Sequence, residues 1–398
     1  MYKRATQRLC FIGFSSASFF IVGVGIVLPA WIAFHAGGSS LVGLVLLTSS
    51  VAGFVLAPLS GYIVDRHSRL TVTAAGQAIR AGGLFVLAFV QVLPEGLERP
   101  LLVLSAILGA FGYALLAGAM SGLLQSIIPE SERMTFNMRL SFFNQAGLAI
   151  GTGAAGYAID RLGSTRTAVL AACIALIILP LLGMLTRAPS GRRLMKGLTL
   201  LSASREAFRY LLNEPQSLSA AVTVGLAFAV IQITNLLLPG FVIHSLGGGS
   251  DLFGMLEMTA AIAGMAALAI AGIPAFARKM TRATATVLAG AAAALIVLSF
   301  VTNPLVAIVL YALAGMLWNL ARAAANGHVL TVVDSALIGR VQAFTTLLTG
   351  GLGGLIFLLP TLLPNATEAH LYMACGVTIF IAMALVGLWT GRRRHTRI

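Results

Sequence analysis

Acidic side chains are scarce in this chain. There are 12 Asp and Glu in 398 residues, against 26 Lys and Arg, and charged residues of both signs make up only 10%. A water-soluble chain of this length carries about a quarter charged residues and divides into two or three domains, so a soluble protein is excluded. Cysteine is scarce as well. Cys10, Cys173 and Cys375 fall inside apolar runs far apart in sequence. That excludes a disulfide framework and a cysteine metal site, and leaves them as small buried hydrophobes. No Gly-x-x-x-x-Gly-Lys-Ser/Thr loop occurs, which argues against work driven by nucleotide hydrolysis. No apolar run carries paired carboxylates or a His/Cys cluster, so no enzyme chemistry, metal or cofactor is expected. Short alternating strands are missing too, and with them a β-barrel.

What is present is hydrocarbon: 58% of residues are hydrophobic and the mean hydropathy is +0.95. Apolar stretches of 20 or more residues recur along the whole length, so the lipid bilayer is the solvent to reason with. The first run, about 9–34, is too long for a cleaved signal peptide, and more follow. Twelve spans are expected, at 9–34, 41–64, 70–92, 100–128, 137–159, 165–187, 218–244, 252–276, 283–302, 304–329, 337–362 and 369–390. Each is long enough to cross a core of about 30 Å at about 1.5 Å per residue. All should be helices, because unpaired backbone groups are too costly in lipid.

The basic residues set an orientation. With the N-terminus inside, cytoplasmic segments hold 21 of the 26 Lys and Arg, and outer loops hold Arg99, Arg161 and Arg166. This positive-inside bias places both termini in the cytoplasm of a cell (inner) membrane. It also accounts for the net charge of +14 without nucleic acid, since the basic residues are dispersed over loops facing anionic lipid.

One break divides the chain. Residues 188–217 form the longest polar stretch, giving an N-terminal six-helix bundle (1–187), a cytoplasmic linker and a C-terminal six-helix bundle (218–398). Within the linker, 204-SREAFRYLL-212 sets Ala207, Phe208, Leu211 and Leu212 on one helical face and Arg205 and Arg209 on another. That pattern predicts a short helix lying on the membrane surface. A shift of 213 residues lays 61-GYIVDRHSR-69 over 274-PAFARKMTR-282, with Arg278 where Asp65 would be. Two parallel six-helix halves with a pathway between them is a transporter plan.

The first of these stretches carries a resemblance. Gly61, Asp65, Arg66 and Arg69 match the G-x-x-x-D-R-x-x-R/K signature between the second and third spans of the major facilitator superfamily. Other pieces resemble its macrolide-efflux and enterobactin-exporter-like branch. They are 129-PESERMTFN-137, 206-EAFRYLLNEP-215, 236-LLLP-239 and 339-GRV-341. The resemblance implies twelve helices in two pseudo-symmetric bundles and a cytoplasmic latch in which the cluster meets Gly339 and Arg340. Physically, Gly61 would let helices approach closely, Asp65 would face a helix N-terminus, and the arginines would bridge to carboxylates or carbonyls. Gly147, Gly151, Gly153 and Gly156 on span five leave a smooth face for packing. They resemble the glycine-rich motif of drug antiporters, with Thr152 and Ala155 in place of Pro and Gly.

Charges inside spans are functional candidates. Arg80 lies about 15 Å into span three, with Gln77 near for a hydrogen bond. Arg322 lies on span ten, where Trp318, Arg322 and Asn326 extend along one face with Asn319 beside them. Such a face suits an anionic or polar aromatic ligand. Gln232 and Asn235 on span seven are further pathway candidates. Glu257 is the one carboxylate well inside a span and the candidate proton-coupling group. The leading reading is a monomeric, proton-coupled exporter of small amphipathic molecules, siderophore-like or drug-like. An importer of a siderophore or metabolite is the second reading. A non-transporting sensor or scaffold is the third, and it would want an appended soluble domain.

Overall fold

The computed structural model describes residues 2–94, 96–185, 209, 211, 214–271, 274–332 and 338–395. Of these, it describes no side chains for 2–5, 134, 215–216, 271, 274–282, 328, 330–332, 338–340, 342–343 and 387–395. Among the described residues every regular element is helical.

The first helix, Tyr2–Arg66, is two spans in one run. It breaks at Gly37 (φ −170°, ψ 23°) and Gly38 (φ 66°, ψ −166°). The left-handed φ at Gly38 is one that a side chain would resist, so the chain reverses there. This gives α1 (2–36) and α2 (39–66). The others are α3 (Arg69–Leu87), α4 (Glu98–Ile127), α5 (Arg133–Leu162), α6 (Ser164–Ile177, continued by a 3₁₀ turn, Leu179–Met184) and α7 (Pro215–His244). After them come α8 (Ser250–Ala271), α9 (Pro274–Leu298), α10 (Pro304–Val332), α11 (Ile338–Leu362) and α12 (Glu368–His395). Among the described residues, nine helices are long and apolar enough to cross a membrane, the first of them covering both α1 and α2. These nine account for ten of the twelve expected spans; α5 and α9 overlap the expected spans 137–159 and 283–302 but do not reach that length and apolarity among the described residues.

The described residues fall into two compact units. One holds α1–α6 with Gly248–Met258, the opening of α8; the other holds α7, α8 from Thr259, and α9–α12. Each unit repeats the same neighbour pattern. In the first, the Tyr2–Arg66 run packs on α4 and α5, with α1 contributing Phe11, Phe14, Ser16 and Phe20, and α3 packs on α4 and α6; in the second, α7 packs on α10 and α11, and α9 on α10 and α12. Advancing each label by six turns one set into the other, which is the internal repeat expressed as packing. Of the expected linker, only Arg209, Leu211 and residues from 214 onward are described. Leu211 is fully buried against Ala220, Ala221, Val329 and Val341, while Arg209 is exposed. The rest of 188–217 lies outside the described residues.

In the first unit Phe11 and Phe14 of α1 meet Leu116 and Leu123 of α4, Phe136 and Leu140 of α5, and Ile178 and Leu182 after α6. In lipid such contacts gain little from the hydrophobic effect, since the tails outside are as apolar as Leu. Close van der Waals packing and small residues hold the helices instead. The outward faces are correspondingly greasy: Leu305 is 74% exposed, Phe300 and Ile177 72%. The cysteines depart from expectation. All three are free, none is fully buried, and Cys173 is exposed. An apolar solvent removes the reason for a thiol to hide.

Candidate functional site

The charged turn between α2 and α3 is built differently from the sequence expectation. Helix α2 runs on through Asp65 to Arg66, so Gly61 is helical and exposed, and a Cβ there would meet nothing within 4 Å. Among the described residues, then, Gly61 is not a site of close helix approach. The turn falls at His67–Ser68, where the Ser68 hydroxyl caps α3 by accepting from the Thr71 amide at 3.2 Å. Arg66 lies over the Tyr62 ring, 4.5 Å from its centroid. Arg69 donates to the Gly122 carbonyl of α4, and a Cβ at Gly122 would overlap that guanidinium. Asp65 is exposed and has no polar partner among the described residues. Gly339 and Arg340, its expected counterparts, sit in the first turn of α11, with side chains outside the described set.

The end of α4 is pinned again by the 129-PESERMTFN-137 loop. Arg133 donates to the carbonyls of Gln125 (2.8 Å) and Ile128 (3.2 Å), and Arg8 pairs with Glu132 at 2.8 Å. The last carbonyls of a helix lack intrahelical partners and carry partial negative charge, so guanidinium groups suit them.

Arg80 is 7% exposed and sits in a neutral cage. It donates to the Gln77 side-chain oxygen at 3.2 Å and to the Ser18 carbonyl at 3.5 Å. Gln77 in turn accepts from the Ser18 hydroxyl at 3.4 Å and donates to the Ala175 carbonyl at 3.3 Å. The network ties α1, α3 and α6 together. Helix α4 leaves room for it, since a Cβ at Gly112 would lie 2.7 Å from the Arg80 Cγ.

The glycines of α5 serve two neighbours rather than one face. Gly147 and Gly151 lie against the Ser16 and Phe20 carbonyls of α1. Gly153 and Gly156 lie against Met258, Ser250 and Gly254 at the start of α8. The two pairs start six residues apart, about 240° around a helix, so they point to different partners. The Ser15 hydroxyl adds a 2.9 Å bond to the Asn144 side-chain oxygen, and Trp31 stacks on Phe253 with centroids 6.0 Å apart.

In the second unit Arg322 of α10 is half-buried. It donates to the Asn319 side-chain oxygen at 3.0 Å and lies over the Phe228 ring of α7, 5.4 Å from its centroid. Trp318 is instead buried edge-on against Tyr311, with centroids 5.8 Å apart. Arg322 is therefore paired with Asn319 and Phe228, not with Trp318; Asn326 is half-buried. Nothing in the sequence singled out Phe228, since a Phe among apolar residues carries no signal. Gln232 lies beside Gly353 of α11, and a Cβ on that glycine would be 3.0 Å from the Gln232 amide nitrogen. Asn235 and Glu257 are half-buried. Among the described residues no three His, Cys, Asp or Glu side chains are grouped to hold a metal ion.

Two helical units with matching packing, apolar outer faces and a few polar groups within the spans define a multi-pass membrane transporter. The chain belongs to the Major Facilitator Superfamily, whose profile it matches over residues 10–358. No curated protein matches it. Among solved structures it is similar to the nucleoside transporter NupG (D323A mutant), at 17% identity, TM-score 0.75, covering 96% of this chain and 99% of the other. It is similar also to a bacterial homologue of the iron transporter ferroportin in an inward-facing state, at 14% identity, TM-score 0.74, covering 97% and 98%. A third is an auto-inhibited POT family peptide transporter, at 14% identity, TM-score 0.71, covering 97% of each chain. At these identities the likeness is one of fold.

Proposed function

We propose that this protein is a proton-coupled exporter of small amphipathic molecules, siderophore-like or drug-like, working by alternating access as a monomer in the cell (inner) membrane with both termini in the cytoplasm. The observation that carries a ligand site is the Arg322, Asn319 and Phe228 cluster. It sets a permanent charge, an amide and an aromatic face together inside membrane-spanning helices. Trp318, Asn326, Gln232 and Asn235 are its pathway neighbours along α10 and α7. The cluster Asp65, Arg66 and Arg69 with Gly339 and Arg340 is the cytoplasmic gate, and Glu257 is the proton-coupling carboxylate. Export is supported by the glycines of α5, which resemble the drug-antiporter motif and lie at backbone contact with α1 and α8.

Inverted membrane vesicles acidified inside test this reading. They should accumulate a lipophilic fluorescent dye or a labelled dihydroxybenzoate, and Glu257→Gln should remove the response to the pH gradient. Uptake is the second reading, favoured by Thr152 and Ala155 where drug antiporters carry Pro and Gly. It requires accumulation in right-side-out vesicles alone. A full gradient response in Glu257→Gln would move the coupling role to another residue.

A further inference from the structure

We infer that Arg322 is an anion-binding residue, and that the substrate joins a carboxylate or similar oxyanion to an aromatic or apolar body. This deepens the transporter reading and rests on it. A guanidinium stays charged at any physiological pH, and a charge within a membrane span is costly unless something compensates it. Among the described residues Arg322 has only neutral partners. Its hydrogen-bond partner is the Asn319 amide, its ring contact is Phe228, and its Nε, though buried, has no partner among the described residues. Other charged side chains do find ionic partners: Arg8 pairs with Glu132, Arg161 with Asp160, and His244 with Glu368.

The guanidinium is also held in place. Asn319 donates its amide nitrogen to the Gly315 carbonyl at 2.9 Å, which fixes the oxygen it offers Arg322. Gly264 of α8 makes room for that amide, since a Cβ there would lie 2.8 Å from the Asn319 Nδ2. A pre-positioned guanidinium with free donors loses little freedom on binding a planar carboxylate, which it can grip through two N–H groups. Phe228 adds an apolar face beside the charge. Arg80 supplies the contrast. It is 7% exposed and enclosed by Gln77 and Ser18, whereas Arg322 is only half-buried and its Nε remains to be satisfied.

The test uses the full chain in lipid nanodiscs and matched probes differing by one charge: 1-naphthoate with 1-naphthamide, salicylate with salicylamide, and 2,3-dihydroxybenzoate with its amide. Thermal shifts give the dissociation constants. At least one carboxylate should bind tenfold or more tightly than its amide. Arg322→Gln should abolish that preference, Arg322→Lys should keep part of it, and Arg80→Gln should leave it intact. If Arg322→Gln does not fold, Arg322→Lys and Asn319→Leu serve. Each should weaken carboxylate binding severalfold and leave the amide unchanged. Carboxylate and amide indistinguishable in all three pairs, or a preference that survives Arg322→Gln, overturns the inference. The underlying transport reading fails separately, as an absence of gradient-driven accumulation of any probe in vesicles. Gradient-driven accumulation of neutral probes, with carboxylates no better handled, sinks the anion inference alone.

Discussion

Gly254 of α8 meets Gly156 of α5 backbone to backbone: a Cβ on Gly254 would lie 2.8 Å from the Gly156 Cα and 3.0 Å from its nitrogen. Neither backbone can yield without moving a helix. Gly254→Val should therefore cost about 1–3 kcal/mol through overpacking. The readout is the unfolding temperature in detergent. Gly13→Ala is the control, because a Cβ there meets nothing within 4 Å and alanine favours helix. Equal unfolding temperatures for the two variants would show that the α5–α8 contact is slack.

Arg80 and Gln77 should respond to mutation in opposite senses. Among the described residues Arg80 has neutral partners only, so Arg80→Met removes a costly buried charge and leaves Gln77 bonded to Ser18 and Ala175. It should keep or raise thermal stability. Gln77→Leu takes away the main acceptor of a charge that stays buried, and should cost about 1–3 kcal/mol. The reverse ranking in a melting experiment would mean that Arg80 is needed as a charge.

Arg133→Ala should loosen the end of α4. It deletes bonds to the Gln125 and Ile128 carbonyls. Bonds from a charged donor contribute about 1.5–3 kcal/mol each at most, and half-exposed ones less. Faster hydrogen exchange at residues 122–128 would report the loss. Arg8→Ala removes an exposed pair with Glu132 and should change stability by less than about 1 kcal/mol.

Asp65→Asn should separate function from stability. The carboxylate is exposed and unbonded among the described residues, so thermal stability should stay within about 0.5 kcal/mol. Transport in proteoliposomes at matched protein level should fall if Asp65 belongs to a gate. Unchanged turnover would reduce the cluster to a topology signal.

Hydropathy marks most of the spans, because a bilayer demands long apolar helices and allows no other open backbone; among the described residues α5 and α9 fall short of that length and apolarity. The repeat of 61–69 at 274–282 announced two like halves, and the packing pattern repeats in step. The i, i+3 spacing places Gln77 beside Arg80, where the hydrogen bond is found, since helical neighbours follow from spacing. The same rule was blind to which neighbour Arg322 takes. Trp318 at i−4 and Asn319 at i−3 are both within reach; Arg322 bonds Asn319, and Trp318 packs edge-on against Tyr311.

The sequence by itself thus determined the solvent, the helical class and the family, all of which depend on composition and period. The tertiary structure decided what lies across a helix–helix contact. Phe228 under Arg322, Gly122 beside Arg69, Gly112 beside Arg80 and Gly254 against Gly156 are pairs on different helices, many residues apart. Such pairs arise from the rotation and depth of each helix against its neighbour. Those are set by close packing in a solvent that offers no hydrophobic guide, and no local pattern of residues encodes them.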